Sequence, residues 1–329
     1  MKRHSLSVFA CAVVGLVSIP AFSPLQAQGT STVFVQEGFE DANVSSRGWY
    51  DTSGVPLSTA EKYAGTRSME CHFTVGATAC VGGHIGRHQF QSSDSVYLAY
   101  YIKYTPNWVG SGRPYHPHMF YFLTDADTAF VGPAFTHLTT YVEAIGGEPQ
   151  LAMQDGKNVD QSRIGQDLTA ITEQRGVAGC NGDSDGTGIS ECYPAGAVYW
   201  NGKRWPAGAT FFDNNPGSPR YKGNWHLVEA FFKLNSIAGG KGMKDGIVQY
   251  WYDGTPVIQL SNVVLRTAAN STMRFNQVLI SPYIGDGSPA DQTFWIDNVV
   301  IASARPATPP LPPSTSPVPA APTNVHIVR

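Results

Sequence analysis

The densest group of chemistry-bearing side chains lies in the segment Arg113-Pro-Tyr-His-Pro-His118, directly before an apolar run. Elimination from a uronic acid needs a group that neutralises the carboxylate, a base for the C5 proton and an acid for the leaving oxygen. Arg is permanently charged, His titrates near neutrality and Tyr can transfer one proton. We therefore predict that Arg113 binds the carboxylate and that His116 or His118 is the base. Tyr115 or Tyr141 is the predicted acid. The alternative is a rigid, proline-bracketed turn whose histidines cap loops.

A second set of residues alternates with apolar residues along the segments that read as strands. Aromatic rings mixed with single acids, bases and amides suit a sugar, because pyranose rings stack on aromatic faces and hydroxyls need directed partners. We predict that this set lines one ligand-sized trough; the alternative is a second face packed under loops. Its members are Tyr97, Tyr101, Lys103, His118, His137, Tyr141, Glu143, Trp225, Glu229, Phe231, Lys233, Gln249 and Trp251.

Two members of this set are carboxylates on different strands. Glu143 and Glu229 would suit glycoside hydrolysis, which uses paired carboxylates whose separation sets the stereochemistry. The alternative for Glu229 is a surface ion pair with Lys233.

Two readings of metal binding come from the residues. Four imidazoles, those of His84, His88, His116 and His118, would bind zinc or copper if they met. Separately, the segment 181–186 spells Asn-Gly-Asp-Ser-Asp-Gly, which places Asp183 and Asp185 as calcium ligands at alternate positions. Its twelfth position is a cysteine instead of Glu, so the alternative is an Asx-turn loop closed by a disulfide.

The cysteine count fits an exported protein. Cys11 lies in a predicted export signal, and the four remaining cysteines allow three pairings that sequence alone cannot choose between. Short separations favour Cys71 with Cys80 and Cys180 with Cys192. The alternative, a zinc site, lacks the usual paired spacing.

The N-terminus reads as that signal. Lys2, Arg3 and His4 precede an apolar stretch over 6–17, which is too short to span a bilayer, and Ala27 is a plausible cleavage point. We expect a secreted, periplasmic or cell-surface protein with no membrane span. The mature chain would carry 20 basic and 25 acidic residues, without a basic stripe, which argues against nucleic acid as a partner. We expect a monomer.

Composition and periodicity indicate an all-β fold. Charged residues make up 14% of the 329 positions, and the chain has 34 Gly and 23 Pro, which argues against a helical bundle. Period-two alternation predicts a two-sheet antiparallel jelly-roll sandwich. One short helix is predicted over 167–174. The predicted strands cover 68–75, 96–104, 119–124, 137–143, 151–154, 225–235, 247–252, 255–260, 274–280 and 293–301.

Three regions follow along the chain. Residues 1–27 are the predicted signal peptide, and 28–303 the sandwich domain, with a long loop insertion over about 155–222. In that insertion, residues 201–205 and the pair Phe211-Phe212 either wall a groove or pack as loop. Residues 304–329 are Pro-rich and predict a disordered tail.

Three stretches carry a family resemblance. They are Glu37-Gly-Phe-Glu-Asp41 with the following segment 63–69, the pair of segments 225–235 and 246–254, and the closing segment 294–301. Together they resemble the concanavalin A-like lectin/glucanase jelly rolls, especially secreted polysaccharide-lyase-like members, over roughly residues 33–303. The resemblance implies a curved sandwich that binds glycan on its concave sheet. It also implies a structural calcium between Glu40 or Asp41 and Asp297.

The functional expectation is an exported carbohydrate-active protein, most like a lyase that cleaves an acidic polysaccharide by β-elimination without an organic cofactor. One alternative is a non-catalytic glycan-binding or surface-structural protein. The other is a glycoside hydrolase that uses Glu143 and Glu229.

Overall fold

The computed structural model describes residues 31–112, 118–124, 138–155, 194–195, 198–199 and 202–307. Two short 3-10 helices span Val44–Arg47 and Ala268–Asn270. The strands, in chain order, are β1 (Val33–Glu37), β2 (Trp49–Tyr50), β3 (Leu57–Ser58), β4 (Ser68–Phe73), β5 (Gly86–Ser93), β6 (Ser95–Tyr104), β7 (His118–Thr124), β8 (Leu138–Ile145), β9 (Glu148–Asp155), β10 (Pro194–Ala195), β11 (Val198–Tyr199), β12 (Gly202–Pro206), β13 (His226–Lys233), β14 (Ile237–Ala238), β15 (Lys241–Gly242), β16 (Gly246–Tyr252), β17 (Thr255–Val263), β18 (Phe275–Tyr283) and β19 (Gln292–Ala302).

Most strands belong to two large antiparallel sheets. Sheet A has the order β17-β16-β13-β6-β19-β4-β3, with β1 also paired to β19, and sheet B has the order β12-β9-β8-β7-β18-β5-β2. Consecutive strands repeatedly cross between the sheets, and the last strand, β19, pairs with the first. The predicted all-β, two-sheet antiparallel jelly-roll sandwich is confirmed. No helix in the described ranges is long and apolar enough to cross a membrane.

The core lies between the two sheets and takes one row of side chains from each strand. Leu98 and Tyr100 of β6 and Phe232 of β13 meet Val142 of β8 and Val278 of β18 in one buried cluster. Successive side chains of a strand point to opposite faces, so the alternate rows face away from this core.

Those alternate rows do not form the single trough that the sequence predicted. Tyr97 and Glu229 lie on the outer face of sheet A, because their chain neighbours Leu98, Val228 and Ala230 face the core between the sheets. Tyr141 and Glu143 lie on the outer face of sheet B, because β8 pairs with β7 and β9. The whole core separates the two groups, so the prediction of one shared trough is wrong.

Two predicted boundaries also change. Arg305 packs on sheet A, where two nitrogens of its guanidinium, Nε and Nη2, donate to Glu229, so the folded domain extends past the predicted limit at residue 303. Part of the predicted insertion forms β12, which pairs with β9 at the edge of sheet B. Trp205, in β12, and Phe212 are both buried in the core cluster, and Phe212 also lines a cavity at one end of the sandwich. The predicted helix over 167–174 lies outside the described residues.

The predicted disulfide between Cys71 and Cys80 is confirmed. It links β4 to the loop that precedes β5. Cys180 and Cys192 lie outside the described residues.

Candidate functional site

The outer face of sheet B carries a dense set of polar and aromatic side chains. Strand pairing sets Tyr121 of β7 opposite Tyr141 of β8, and sets Tyr141 opposite Ala152 of β9. One row further along, Glu143 stands opposite Gln150, and its Oε2 accepts a hydrogen bond of 3.0 Å from Gln150 Nε2. Directly opposite residues in antiparallel strands share one face. The strand pairing alone therefore brings these side chains together, with no contribution from a loop.

His118, at the start of β7, joins this row. Its Nδ1 contacts Glu143 Oε1, and its ring lies 4.7 Å from the ring of Tyr141, measured between centroids. An ionised carboxylate only accepts hydrogen bonds, so Nδ1 is the donor. A neutral imidazole held in this way carries its lone pair on Nε2, which is the form a general base requires.

The Tyr141 hydroxyl donates to Gln154 Oε1 on β9. Tyr121 packs edge-on against Tyr141, with 5.0 Å between the ring centroids. Burial, with a further contribution from the charge of Glu143, raises the pKa of the Tyr121 phenol well above its ordinary value. Tyr121 therefore keeps its proton and packs as an uncharged ring beside Tyr141.

A guanidinium lies on the same face, on β5, which is separated from β8 of Tyr141 by the two strands β7 and β18. Arg87 of β5 donates to Asp51 Oδ2 at 2.6 Å and to Gln277 Oε1 at 3.4 Å. It also lies over the ring of Tyr50, 5.5 Å from its centroid. The pairing of β5, β18 and β7 sets Arg87 in the same cross-strand row as Tyr121.

These side chains are largely buried. The exposed fraction is 8% for His118, 2% for Tyr141, 1% for Glu143 and 4% for Arg87. The low local dielectric strengthens the polar contacts among them. Among the predicted catalytic residues, His118 and Tyr141 are brought together. Arg113, Tyr115 and His116, and the predicted binding residue His137, lie outside the described residues.

The outer face of sheet A has a different organisation. Glu229 is fully buried there, and Arg305 holds it with two hydrogen bonds of 2.8 Å, while the Tyr97 hydroxyl donates to its Oε1 at 2.7 Å. The Arg305 guanidinium also lies 4.4 Å from the ring centroid of Trp251. Glu229 is thus neither a surface residue nor the partner of Lys233, which corrects that alternative.

The proposed pairing of Glu143 with Glu229 for hydrolysis is contradicted. Glycosidase carboxylates flank one bond at a separation of roughly 5–10 Å. These two lie on outward faces of opposite sheets, and stacked sheets are themselves about 10 Å apart. No single sugar residue can reach both.

The remaining sheet A residues form smaller contacts. Tyr101 stacks on Tyr63 with 3.5 Å between ring centroids, and Trp225 meets Tyr63 edge-on at 6.1 Å. Lys103 donates to Glu61 Oε2 at 2.6 Å. Gln249 is buried with Phe231 opposite it, and Lys233 is exposed at the end of β13.

Two of the histidines predicted to bind zinc or copper have other partners in the structure. Within the described ranges, no three His, Cys, Asp or Glu side chains form a group able to hold a metal ion. His88 contacts the carbonyl of Arg47 at 2.9 Å, while His118 pairs with Glu143. His88 and His118 therefore do not meet in the predicted zinc or copper cluster, and His116 lies outside the described residues. Asp183 and Asp185 lie outside the described residues.

The other calcium expectation falls where the ends of β1 and β19 meet. Asp297 Oδ2 accepts from the N–H groups of Tyr63 and Ala64 at 2.9 and 3.1 Å, and Glu40 accepts from Thr66 of the same loop. Burial raises the pKa of the Asp297 carboxyl to about 6, and the charge of Glu40 adds to this shift. Asp41 instead accepts from Arg47 at 2.9 Å.

Sequence reasoning missed several polar residues on the outer face of sheet B, namely Arg87, Gln150, Gln154 and Gln277. A signal for two of them was available. The segment Gln150-Leu-Ala-Met-Gln154 alternates, so its glutamines share the face opposite Leu151 and Met153. Arg87 lies in β5, whose largely polar sequence has no apolar alternation to reveal it as a strand.

Comparison with known proteins gives similarity of structure only, since no family model and no curated protein matches the chain. The alginate lyase Aly36B is 14% identical with a TM-score of 0.41, over 82% of this chain and 96% of that chain. An alginate lyase from Chlorella virus is 11% identical with a TM-score of 0.49, over 81% and 100%. The marine alginate lyase from Aplysia kurodai is 14% identical with a TM-score of 0.48, over 82% and 98%.

The strand pairing itself gives this chain a two-sheet antiparallel jelly-roll fold, the fold class that the sequence resemblance implied. The similarity to these solved structures assigns neither an activity nor a residue role.

Proposed function

We propose that this protein is an exported, carbohydrate-active enzyme that cleaves an acidic polysaccharide by β-elimination. The observation that supports the proposal is the contact between His118 and Tyr141, with Glu143 holding the imidazole. These three side chains put a base and an acid next to each other on one sheet face, which is the minimum that elimination requires.

The proposed reaction balances within this group. His118 Nε2 takes the C5 proton of a uronic acid, the C4–C5 double bond forms, and the bond from C4 to the leaving oxygen breaks. The Tyr141 hydroxyl gives its proton to that oxygen. Glu143 stabilises the imidazolium that forms, and the proton on His118 then restores Tyr141 as the phenol.

The remaining polar groups would serve binding. Gln154 holds the Tyr141 hydroxyl and fixes its direction. The amide of Gln150 is anchored on Glu143 and lies in the same row. Arg113 keeps its predicted role as the carboxylate ligand.

The first prediction concerns His118 and Tyr141. We expect His118→Gln and Tyr141→Phe each to lower the rate of elimination by about 10²–10⁴-fold, because each removes one proton-transfer group. The rate is measured on uronate-containing polysaccharides by the ultraviolet absorbance of unsaturated ends. Tyr101→Phe on sheet A is the matched control and should keep the full rate.

Activity that survives both substitutions would refute the assignment. Thermal unfolding of each variant separates lost chemistry from lost folding, because a rate loss with an unchanged melting temperature belongs to the chemistry.

The near-complete burial of Tyr141 and Glu143 favours a second candidate, a glycan-binding protein without catalysis. In that case the same substrates would be retained on an affinity matrix while no unsaturated ends accumulate. Reducing ends without unsaturation would indicate hydrolysis, for which the two sheets offer no pairing of Glu143 with Glu229.

A further inference from the structure

A cavity of about 300 Å³ lies at one end of the sandwich, where three connections meet. The connection after β6, the β8–β9 turn and the connection between β12 and β13 all contribute to its walls. The lining residues are Trp108, Val109, Gly146, Gly147, Thr210, Phe212, Asp213, Asn214 and Lys222. This volume falls at the lower end of the range of small-molecule sites.

The cationic residue of the lining is nearly buried. Lys222 is 6% exposed, and its Nζ donates to the carbonyl of Trp108 at 2.7 Å. An ammonium has three donors, and this one has a single neutral acceptor among the described residues. Burial lowers the pKa of the Lys222 ammonium.

The acidic residue of the lining does not neutralise this charge. Asp213 Oδ1 accepts from the N–H of Asn215 at 2.9 Å, which closes a turn, and no ion pair joins Asp213 to Lys222 in the described part of the chain. A buried cation without a counter-charge is costly, and an anion that enters beside it relieves that cost.

We propose that this cavity binds the carboxylate of one uronic acid residue, with the Lys222 ammonium as its counter-charge. Thr210 and Asn214 offer polar groups to ring hydroxyls, while the edges of Trp108 and Phe212 supply apolar wall. The size of the cavity fits one sugar residue with its acid group.

The position of the cavity links it to the site on sheet B. Gly146 follows Glu143 by three residues along β8 and its turn, which corresponds to roughly 10 Å at the rise of an extended chain. A glycan chain bound near His118 would reach the cavity with a neighbouring residue. The choice of a sugar acid as the ligand thus rests on the proposed function, whereas the anion preference rests on Lys222.

The second prediction tests this site by binding, without turnover. A tetragalacturonate and its carboxyl-reduced, neutral counterpart are titrated into the full-length mature protein by calorimetry. We expect Lys222→Met to weaken tetragalacturonate binding by about tenfold or more, because one charge-assisted hydrogen bond is lost. Binding of the neutral tetramer should not change.

Lys244→Met is the matched control, since Lys244 is exposed in the loop before β16, and it should bind as the unaltered protein does. Equal affinity of the Lys222→Met variant and the unaltered protein for tetragalacturonate would overturn the proposal.

A second measurement covers the case in which Lys222→Met does not fold. The amide resonances of Gly146 and Gly147 in the unaltered protein should shift with glucuronate and remain in place with glucose. Shifts with glucuronate but not with the tetramer indicate that the cavity binds free sugar acids. Shifts with the tetramer but not with glucuronate indicate a site for the polymer. Absence of a shift with either acid refutes the site.

The two proposals can fail separately. Binding that depends on Lys222, without formation of unsaturated products, would support the cavity site and refute the proposed lyase activity. Elimination at an unchanged rate in the Lys222→Met variant, together with unchanged affinity, would support the lyase activity and refute the cavity site.

Discussion

Two of the buried glutamates of this protein, Glu143 and Glu229, differ in the side chain that each one meets. Glu229 meets a guanidinium, which stays charged, so this pair can only hold structure. Glu143 meets an imidazole, a type of side chain that serves as a general base in many enzymes. The two carboxylates therefore differ mainly in their partners, a fixed charge beside Glu229 and a general-base side chain beside Glu143.

A third prediction at the scale of single residues concerns His84, which precedes β5. Its Nδ1 is buried without a hydrogen-bond partner among the described residues, and burial lowers the pKa of the imidazole from the ordinary value of 6.5. Below that value the unfolded chain binds the proton and the folded chain resists it, so the free energy of unfolding falls as the pH falls.

We expect His84→Leu to remove this acid sensitivity. Denaturant unfolding at pH 7, 6 and 5 should show the variant gaining stability relative to the unaltered protein as the pH decreases. Parallel pH profiles for the two proteins would contradict the prediction.

At the scale of elements, most of the sandwich was predictable from alternation. The predicted strand over 96–104 appears as Ser95–Tyr104, and that over 293–301 as Gln292–Ala302. In β6 every second residue is large and apolar, which indicates both the strand and its core-facing row. In β19 Phe294 and Ile296 alternate in the same way, and a register shift after Asp297 brings Val299 and Ile301 to the core. Strand β5 was missed because its Gly86-Arg-His-Gln-Phe-Gln segment is mostly polar.

Alternation could not reveal which sheet each strand joins. Alternation correctly assigns Tyr97 and Leu98 to opposite faces of β6, and Tyr141 and Val142 to opposite faces of β8. The choice between sheets depends on pairing between strands far apart in sequence, such as β6 with β19. A single sequence carries no local signal for such pairing. Alternation therefore predicts one trough where the structure has two faces on opposite sheets.

A fourth prediction belongs to the ends of β1 and β19, where Glu40 and Asp297 face the loop 63–66. Calcium bound by these carboxylates, with backbone oxygens or water completing its shell, would stabilise the folded state. The gain is about 2.7 kcal/mol at a calcium concentration near 100 times the dissociation constant.

We therefore expect calcium to raise the melting temperature relative to a chelator, and Asp297→Asn to abolish the difference. Asp41→Asn is the matched control, because Asp41 pairs with Arg47 and should leave the calcium effect intact. A melting temperature that is indifferent to calcium would rule out the site.

At the scale of the whole molecule, the sandwich has two outward faces that carry different sets of side chains. The outer face of sheet B carries the candidate acid and base. The outer face of sheet A is closed at its centre by Arg305, which follows the last strand and neutralises Glu229. Residue 305 is thereby fixed to the sheet that lies away from His118.

The fifth prediction tests this fixation. Arg305→Ala leaves a buried, unpaired carboxylate, and we expect the free energy of unfolding to fall by roughly 3 kcal/mol. The double variant Arg305→Ala/Glu229→Gln should recover part of this loss. Denaturant unfolding measures both.

Arg274→Ala is the control, because Arg274 forms an ion pair with Asp94 in which both side chains are nearly half exposed. Such a surface pair contributes about 0–1 kcal/mol. Equal losses for the two arginine variants would show that Arg305 is not a structural clamp.

Arg305 is held against the outer face of sheet A, and β1 runs beside β19 in the same sheet. Residues 33 and 305 therefore both lie on the sheet opposite the one that carries His118. A surface or a reporter attached rigidly at either residue would leave the outer face of sheet B open to an approaching polymer.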